Sequence, residues 1–244
     1  MIDRARGGTP FAAAVLLFSL AVSLTGCVGG SPAGPTPKSA ATEAPSPEPD
    51  AAPIPADPLE SVTSIVARPE ALELRDDAGV VVQEFDYLGD PDAAVGALTE
   101  VLGADPVAEE RPGDGHYPPS TAHRWEGLAL WEQRHEGRWA EVEHSILRPR
   151  FMVEFTGPSA LGIDLTTVQG VHAGEPWADL LAEPGLATNP SGCSGPYLDF
   201  VEVDGVNADG TPFTVRVSVD FRPTADESVV ARVGAPVPAS DGCA

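Results

Sequence analysis

Apolar and polar positions along this chain fall into three regimes. From Phe11 to Val22 they form an almost uninterrupted apolar run. From Val28 to Pro58 nothing recurs with the period of a helix or a strand. From Leu59 onward short alternating runs appear, separated by turn residues, as in a folded domain. There, Ala71 to Arg75 and Val80 to Phe85 flank Asp76-Asp77-Ala78-Gly79, which predicts a hairpin. A helix is predicted next. Asp90 suits its cap, Pro91 its first turn and Gly103 its stop. Ala94, Val95, Leu98, Val101 and Leu102 then share one apolar face.

A polar loop from Ala104 to Ser120 follows, longer than most connections in a compact domain. Thr121 to Glu126 and Leu128 to Arg134 read as a hairpin around Glu126-Gly127. Further strands are predicted over Trp139 to Ile146, Arg150 to Phe155 and Ile163 to Val168, then Tyr197 to Val203, Phe213 to Phe221 and Ser228 to Val233. A second short helix starts near Pro176, and Gly234 to Pro238 reads as a loose tail. Gly89-Asp90-Pro91-Asp92-Ala93 is echoed by Gly174-Glu175-Pro176-Trp177-Ala178, each opening a helix followed by a loop and two strands. The echo allows two related αββ-type halves, or two helices with the same start signal. The expected fold class is α+β, with antiparallel sheet and two short helices. The helix–loop–strand–strand unit is similar at fold level to bacterial envelope modules of the beta-lactamase-inhibitor-protein and SmpA/OmlA lipoprotein type. That analogy assigns no function.

The N-terminal run has the layout of an export signal. Arg4 and Arg6 precede an apolar stretch too short for a bilayer span, which takes roughly 20 residues. Leu24-Thr25-Gly26-Cys27 directly after it resembles a bacterial lipobox. The resemblance implies cleavage before Cys27 and a thioether-linked diacylglycerol on its sulfur. An ordinary secretory signal or a retained membrane anchor are the alternatives, and neither requires a cysteine at this place. Each buried methylene contributes about 0.8 kcal/mol, so two long acyl chains hold where one does not. The chain then divides into a signal (1–26), a lipidated cysteine with a Pro-, Ala- and Ser-rich tether (27–58), and a folded domain (59–244). The tether composition cannot bury enough apolar surface to offset chain entropy, and its Ser and Thr beside Pro permit O-glycosylation. Lipidation of Cys27 leaves Cys193 and Cys243 as a pair, and outside the membrane a disulfide between them can persist. Two reduced thiols or a two-cysteine metal site are the other readings.

Charge narrows the partners. The full chain carries a formal −23 at pH 7, and its mature form sits one charge lower because the signal holds two arginines and one acid. Such a surface repels phosphate, so nucleic acid is not an expected partner. Lys38 is the only lysine, an arginine bias of the kind that GC-rich actinobacterial genomes produce. His135-Glu136 and Glu143-His144 do not meet the two-histidine spacing of a zinc-protease helix, and no metal or other cofactor is expected. Asp204 to Gly210 lacks the register of a calcium loop and reads as a hairpin turn. No Gly-x-Ser-x-Gly elbow or Gly-rich phosphate loop is present, and no catalytic residue is nominated. The aromatics are the better candidates. Tyr117, His123, Trp125, Trp131 and Trp139 cluster in sequence beside His116. They predict either a core beneath the long loop or an exposed patch rimmed by it, with Trp125 and Trp131 on one sheet face. The expectation is a lipid-anchored extracytoplasmic module that binds an envelope protein or cell-wall component. An extracellular hydrolase or metal-dependent enzyme and a small-solute-binding protein are the alternatives.

Overall fold

The computed structural model describes residues 57–115, 117–139, 148–192, 194–206 and 210–239. All of them belong to the unit Pro53–Ala244. Signal, lipobox and nearly all of the tether lie outside the described residues, as do Cys193, Cys243 and His116.

Among the described residues the architecture is broadly α+β and mostly β, with two sheets and two helices. A 3-10 turn, Pro58–Ser61, leads into β1 (Val62–Ala67), β2 (Ala71–Asp76) and β3 (Val81–Asp86). The predicted hairpin is β2–β3, with Asp76 Oδ1 accepting from the Ala78 and Val80 amides at 3.0 and 2.8 Å. Helix α1 spans Pro91–Leu102. Asp90 caps it by accepting from the Asp92 amide at 3.3 Å, and Gly103 ends it at φ 63°. Ala94, Leu98 and Leu102 are buried and Val95 and Val101 partly so, which is the face the sequence predicts.

The loop from Ala104 to Ser120 is not wholly irregular. It contains β4 (Val107–Arg111), an edge strand with every residue exposed. Strands β5 (Ser120–Trp125), β6 (Leu128–Gln133) and β7 (Phe151–Phe155) continue an antiparallel meander. A 3-10 turn, Gly137–Trp139, stands where the predicted Trp139 strand would begin, and residues 140–147 lie outside the described set. The short β8 (Ser159–Ala160) and β9 (Ile163–Thr167) precede α2, a single turn over Trp177–Leu180. Strands β10 (Tyr197–Val206), β11 (Pro212–Pro223) and β12 (Val230–Pro238) end the described fold.

Strand order is β3-β2-β1-β9-β8 in one sheet and β10-β11-β12-β7-β6-β5-β4 in the other. Among the described residues every strand pairing is antiparallel except β1 with β9. Each sheet is thus shared between the first and second parts of the chain. The echoed Gly-x-Pro-x-Ala segments open helices of different length, three turns in α1 and one in α2.

The tail reading is corrected: Gly234 to Pro238 is strand. Val237 pairs with Ser218 and Pro238 with Val217 on β11, while the β12 residues paired with β7 are Val233, Gly234 and Ala235. Pro236 and Pro238 therefore stand beyond the β7 ladder, where a missing amide donor is tolerated.

One core joins both sheets and α1. Phe221, Val233, Phe155, Leu128 and Trp125 are successive cross-strand partners on one face of the larger sheet, and all are buried. Ile65, Leu72, Leu74 and Leu165 of the smaller sheet belong to the same apolar cluster. The opposite face of the larger sheet carries the candidate site.

Candidate functional site: a groove on the outer sheet face

Register decides which side chains meet on that outer face. Arg124, Ala129, Glu154, Gly234 and Asp220 form one cross-strand row over five strands. Glu109, Ala122, Trp131 and Met152 form the next, and Arg111, Ser120 and Gln133 the one after. Small residues at 122, 129 and 234 keep the floor low between larger ones.

The segment between β4 and β5 walls the groove. Asp114 and Tyr117 close a tight turn: the Asp114 amide donates to the Tyr117 carbonyl and the Tyr117 amide to Asp114 Oδ1, both at 3.0 Å. Gly113, at φ 75°, allows the crossing, since a Cβ there would meet Pro119 N at 2.6 Å. Arg138 from the Gly137–Trp139 turn donates to the Asp114 carbonyl. The resulting groove has a volume of ≈ 480 Å³, with Tyr117, Pro118, Trp131, Met152, Glu154, Asp220, Arg232 and Gly234 among its lining. Arg124 lies over the Trp131 ring at 4.8 Å and Arg111 at 5.9 Å, within the range of cation–π attraction.

One end of the groove floor is charged. Asp220 is 1% exposed; its Oδ2 is 3.2 Å from Arg222 Nε and 3.5 Å from an Arg232 terminal nitrogen. Arg232 also reaches Glu154 at 3.3 Å. Two inaccessible polar atoms there, Asp220 Oδ1 and Arg232 Nε, have no hydrogen-bond partner among the described residues. Burial pushes the Asp220 carboxyl above the ordinary carboxylate range, and the attraction of Arg232 and Arg222 only partly offsets it. Gly234 is what lets the carboxylate lie so low, because a Cβ there would sit 2.5 Å from Oδ1.

The structure divides the predicted aromatic patch. Tyr117 and Trp131 meet in the groove, and Tyr117 is 71% exposed. Trp125 is core, its indole N–H donating to the Ala104 carbonyl at 2.8 Å. His123 shares the Trp125 face and has Nε2 3.3 Å from Glu132 Oε2. Trp139 lies in the 3-10 turn with Arg138 over its ring at 4.7 Å. The expectation of one face for Trp125 and Trp131 is therefore corrected. The turn is two residues long and pairs Trp125 with Leu128, so Trp131 pairs with Ala122 and points to the other side. Sequence reading missed Asp220, Glu154, Arg232 and Gly234, which come from three strands distant in sequence.

No protein-family model, curated protein or solved structure matches this chain.

Among the described residues no three His, Cys, Asp or Glu side chains converge in a metal-ligating arrangement. His135 Nε2 lies 3.0 Å from the Pro149 carbonyl, and His172 lies beside Glu175. Among the described residues no helix is long and apolar enough to cross a membrane. The groove brings together two aromatic surfaces, a buried carboxylate–guanidinium pair, and the Gln133 and Ser120 side chains.

Proposed function

We propose that this chain is a lipid-anchored, extracytoplasmic lipoprotein whose folded part is a non-enzymatic binding module of the cell envelope. The groove carries the binding half of this reading. It joins the exposed Tyr117 ring and the Trp131 indole to the partly exposed Glu154 and Arg232 side chains in a cavity of small-molecule size, the combination expected of a binding site. The anchoring half rests on Leu24-Thr25-Gly26-Cys27 after a short apolar run. The tether from Val28 to Pro58 then sets the module off the membrane, extended by its prolines. A pairing of Cys193 with Cys243 belongs to the same reading, since the module works in an oxidising compartment.

A small-solute receptor is the second reading. The volume of ≈ 480 Å³ favours it, because small-molecule sites span roughly 300–1,000 Å³.

Fractionation and crosslinking test the proposal together. The wild-type chain is expected in the membrane fraction, released by detergent, and Cys27→Ala is expected in the soluble fraction. A photo-reactive residue at position 117 is expected to capture one envelope component in near-stoichiometric yield. Wild-type protein free of the membrane overturns the anchor. Capture of only abundant envelope proteins overturns the stable macromolecular partner and leaves the solute reading.

A further inference from the structure

We infer that the outer edge of strand β3 takes up an extended, cationic segment of a partner protein as an added strand, with one basic side chain seated in an acidic cavity at the end of β3. This surface is separate from the groove, and the inference does not rest on reading the groove as a binding site.

The edge comes first. Strand β3 stands at one end of the order β3-β2-β1-β9-β8 and pairs with β2 alone. Alternate backbone N–H and C=O groups of an end strand have no partner in their own sheet and can pair with another chain. Proteins guard such edges with proline, charge, a bend or short length. Among the described strands, the other three ends are guarded in these ways. β8 is two residues long, β4 lies between Pro106 and Pro112, and β10 turns left-handed at Asp199, with φ 53°. β3 runs for six residues, Val-Val-Gln-Glu-Phe-Asp, without proline or lysine. Val80 and Val81 at its start and Leu88 just past its end are exposed apolar side chains. Its one guard is negative charge, which turns some partners away and admits others.

Charge therefore selects the occupant. Between Asp57 and Asp105 stand twelve acids and two arginines. Both arginines are engaged: Arg68 lies 3.3 Å from Glu73 and 2.7 Å from Asp199, and Arg75 donates to Glu73 at 2.8 Å. Glu70, Glu84 and Asp86 are exposed and have no ion pair among the described residues. On β4, by contrast, Glu109 is met by Arg111 and Arg124, and Glu110 by Arg134. A second copy of this chain would set the same acids against one another, and like charges facing across a strand pair are destabilising. A basic strand meets the opposite situation. Each lysine or arginine brought beside Glu84 or Asp86 finds a carboxylate with no counter-charge, and complementary charge of this kind steers encounter and fixes register.

A cavity gives that strand its anchor. At the end of β3, Pro69, Glu70, Glu84, Asp86, Leu88 and Val203 are among the lining of a space of ≈ 320 Å³. Lysine and arginine carry a charged head on an apolar stem. Pro69, Leu88 and Val203 suit the stem. The three carboxylates suit the head, which donates hydrogen bonds and accepts none. Backbone pairing along β3 supplies affinity and the cavity supplies specificity, as in strand addition generally.

The test uses the mature chain from Cys27 to Ala244, purified from membranes in mild detergent and titrated with a capped octapeptide of alternating valine and lysine. Two comparison peptides are the valine–glutamate octapeptide and the valine–lysine octapeptide with its four central amides N-methylated. Calorimetry gives affinity, and amide hydrogen exchange shows which strand is covered. The valine–lysine peptide is expected to bind saturably, to slow exchange across Val81–Asp86, and to lose tenfold or more in affinity from low to high salt. The glutamate peptide is expected not to bind, and the methylated peptide to bind at least tenfold more weakly. Glu84→Lys is expected to weaken binding tenfold or more without loss of the fold, since that side chain is exposed. Val107→Ala, on β4, is expected to leave it unchanged. Equal binding of the methylated peptide overturns strand addition, and equal binding of the glutamate peptide overturns the charge argument. Protection on β4 or β10 in place of β3 overturns the choice of edge. Silence of the folded protein toward the valine–lysine peptide overturns the inference, and crosslinking from position 117 decides the groove independently.

Discussion

At the scale of single residues, Asp220 and Gly234 are interdependent. Gly234 has no side chain, and Asp220 Oδ1 occupies the space one would need. Gly234→Ala is therefore expected to cost about 1–3 kcal/mol through overpacking, read by denaturant unfolding. Adding Asp220→Ala is expected to return part of that loss, so the two changes combine with less than their summed cost. Purely additive behaviour would mean that the close approach is unimportant. The same carboxylate has a pH signature. Its folded-state pKa is raised, chiefly by burial, against the pull of Arg232 and Arg222. A group raised on folding contributes stability that is fully present below its unfolded pKa and is lost as pH rises through the folded value. Asp220→Asn removes that one contribution. The stability of wild type minus that of Asp220→Asn is therefore expected to fall from acid toward neutral pH, measured by chemical denaturation across the range. A difference that rises with pH would show the two arginines outweighing burial. None of this was readable from the sequence, where Asp220 is one of many acids on a chain full of them.

At the scale of elements, what was legible followed from local rules, and what was missed depended on partners far away in the chain. Asp90, Pro91 and Gly103 mark helix α1 because a cap, a fixed φ and a left-handed stop are local requirements. The β2–β3 and β5–β6 hairpins were legible for the same reason. Strand β1 carries no clear local signal, although its Ile65 and Val66 are buried, and β4 has no buried residue to set an alternating pattern. The groove was half legible. Tyr117 and Trp131 stand out as aromatics, and the long loop is a rim in one of the two readings of them, but the charged end is assembled by the β7–β12 and β11–β12 pairings. The face assignment of Trp125 and Trp131 turned on a single unit of register, which sends alternate side chains to opposite sides. That register has a direct test. Trp125→Ala is expected to cost about 3–5 kcal/mol, as for a buried aromatic. Trp131→Ala is expected to cost about 1 kcal/mol or less, mainly the lost arginine contacts. Equal costs in denaturant unfolding would mean that the two rings are not on opposite faces.

At the scale of the whole molecule, one core spans both sheets, so the fold has little room for independent failure. Phe221 and Val233 from the C-terminal strands sit in the same apolar cluster as Ile65 and Leu72 from the first ones. Loosening the last three strands should therefore loosen everything. A bond between Cys193 and Cys243 would enclose β10, β11 and β12 in one covalent loop, the half of the larger sheet that carries Asp220 and Arg232. Closing a loop of about 50 residues is worth roughly 4 kcal/mol in the chain-entropy model. Mass mapping of unreduced peptides is expected to find the two cysteines joined. Cys193→Ser with Cys243→Ser is then expected to lower the melting temperature while keeping a single cooperative transition, because the core is shared. Two transitions would mean that the C-terminal strands melt alone and that the groove is lost before the fold. An unchanged melting temperature would mean that the pairing adds nothing to a sheet already held by β7. The outcome bears on the site as well, since β7 and β12 meet at Glu154 and Gly234, where the groove floor crosses from the first part of the chain to the second.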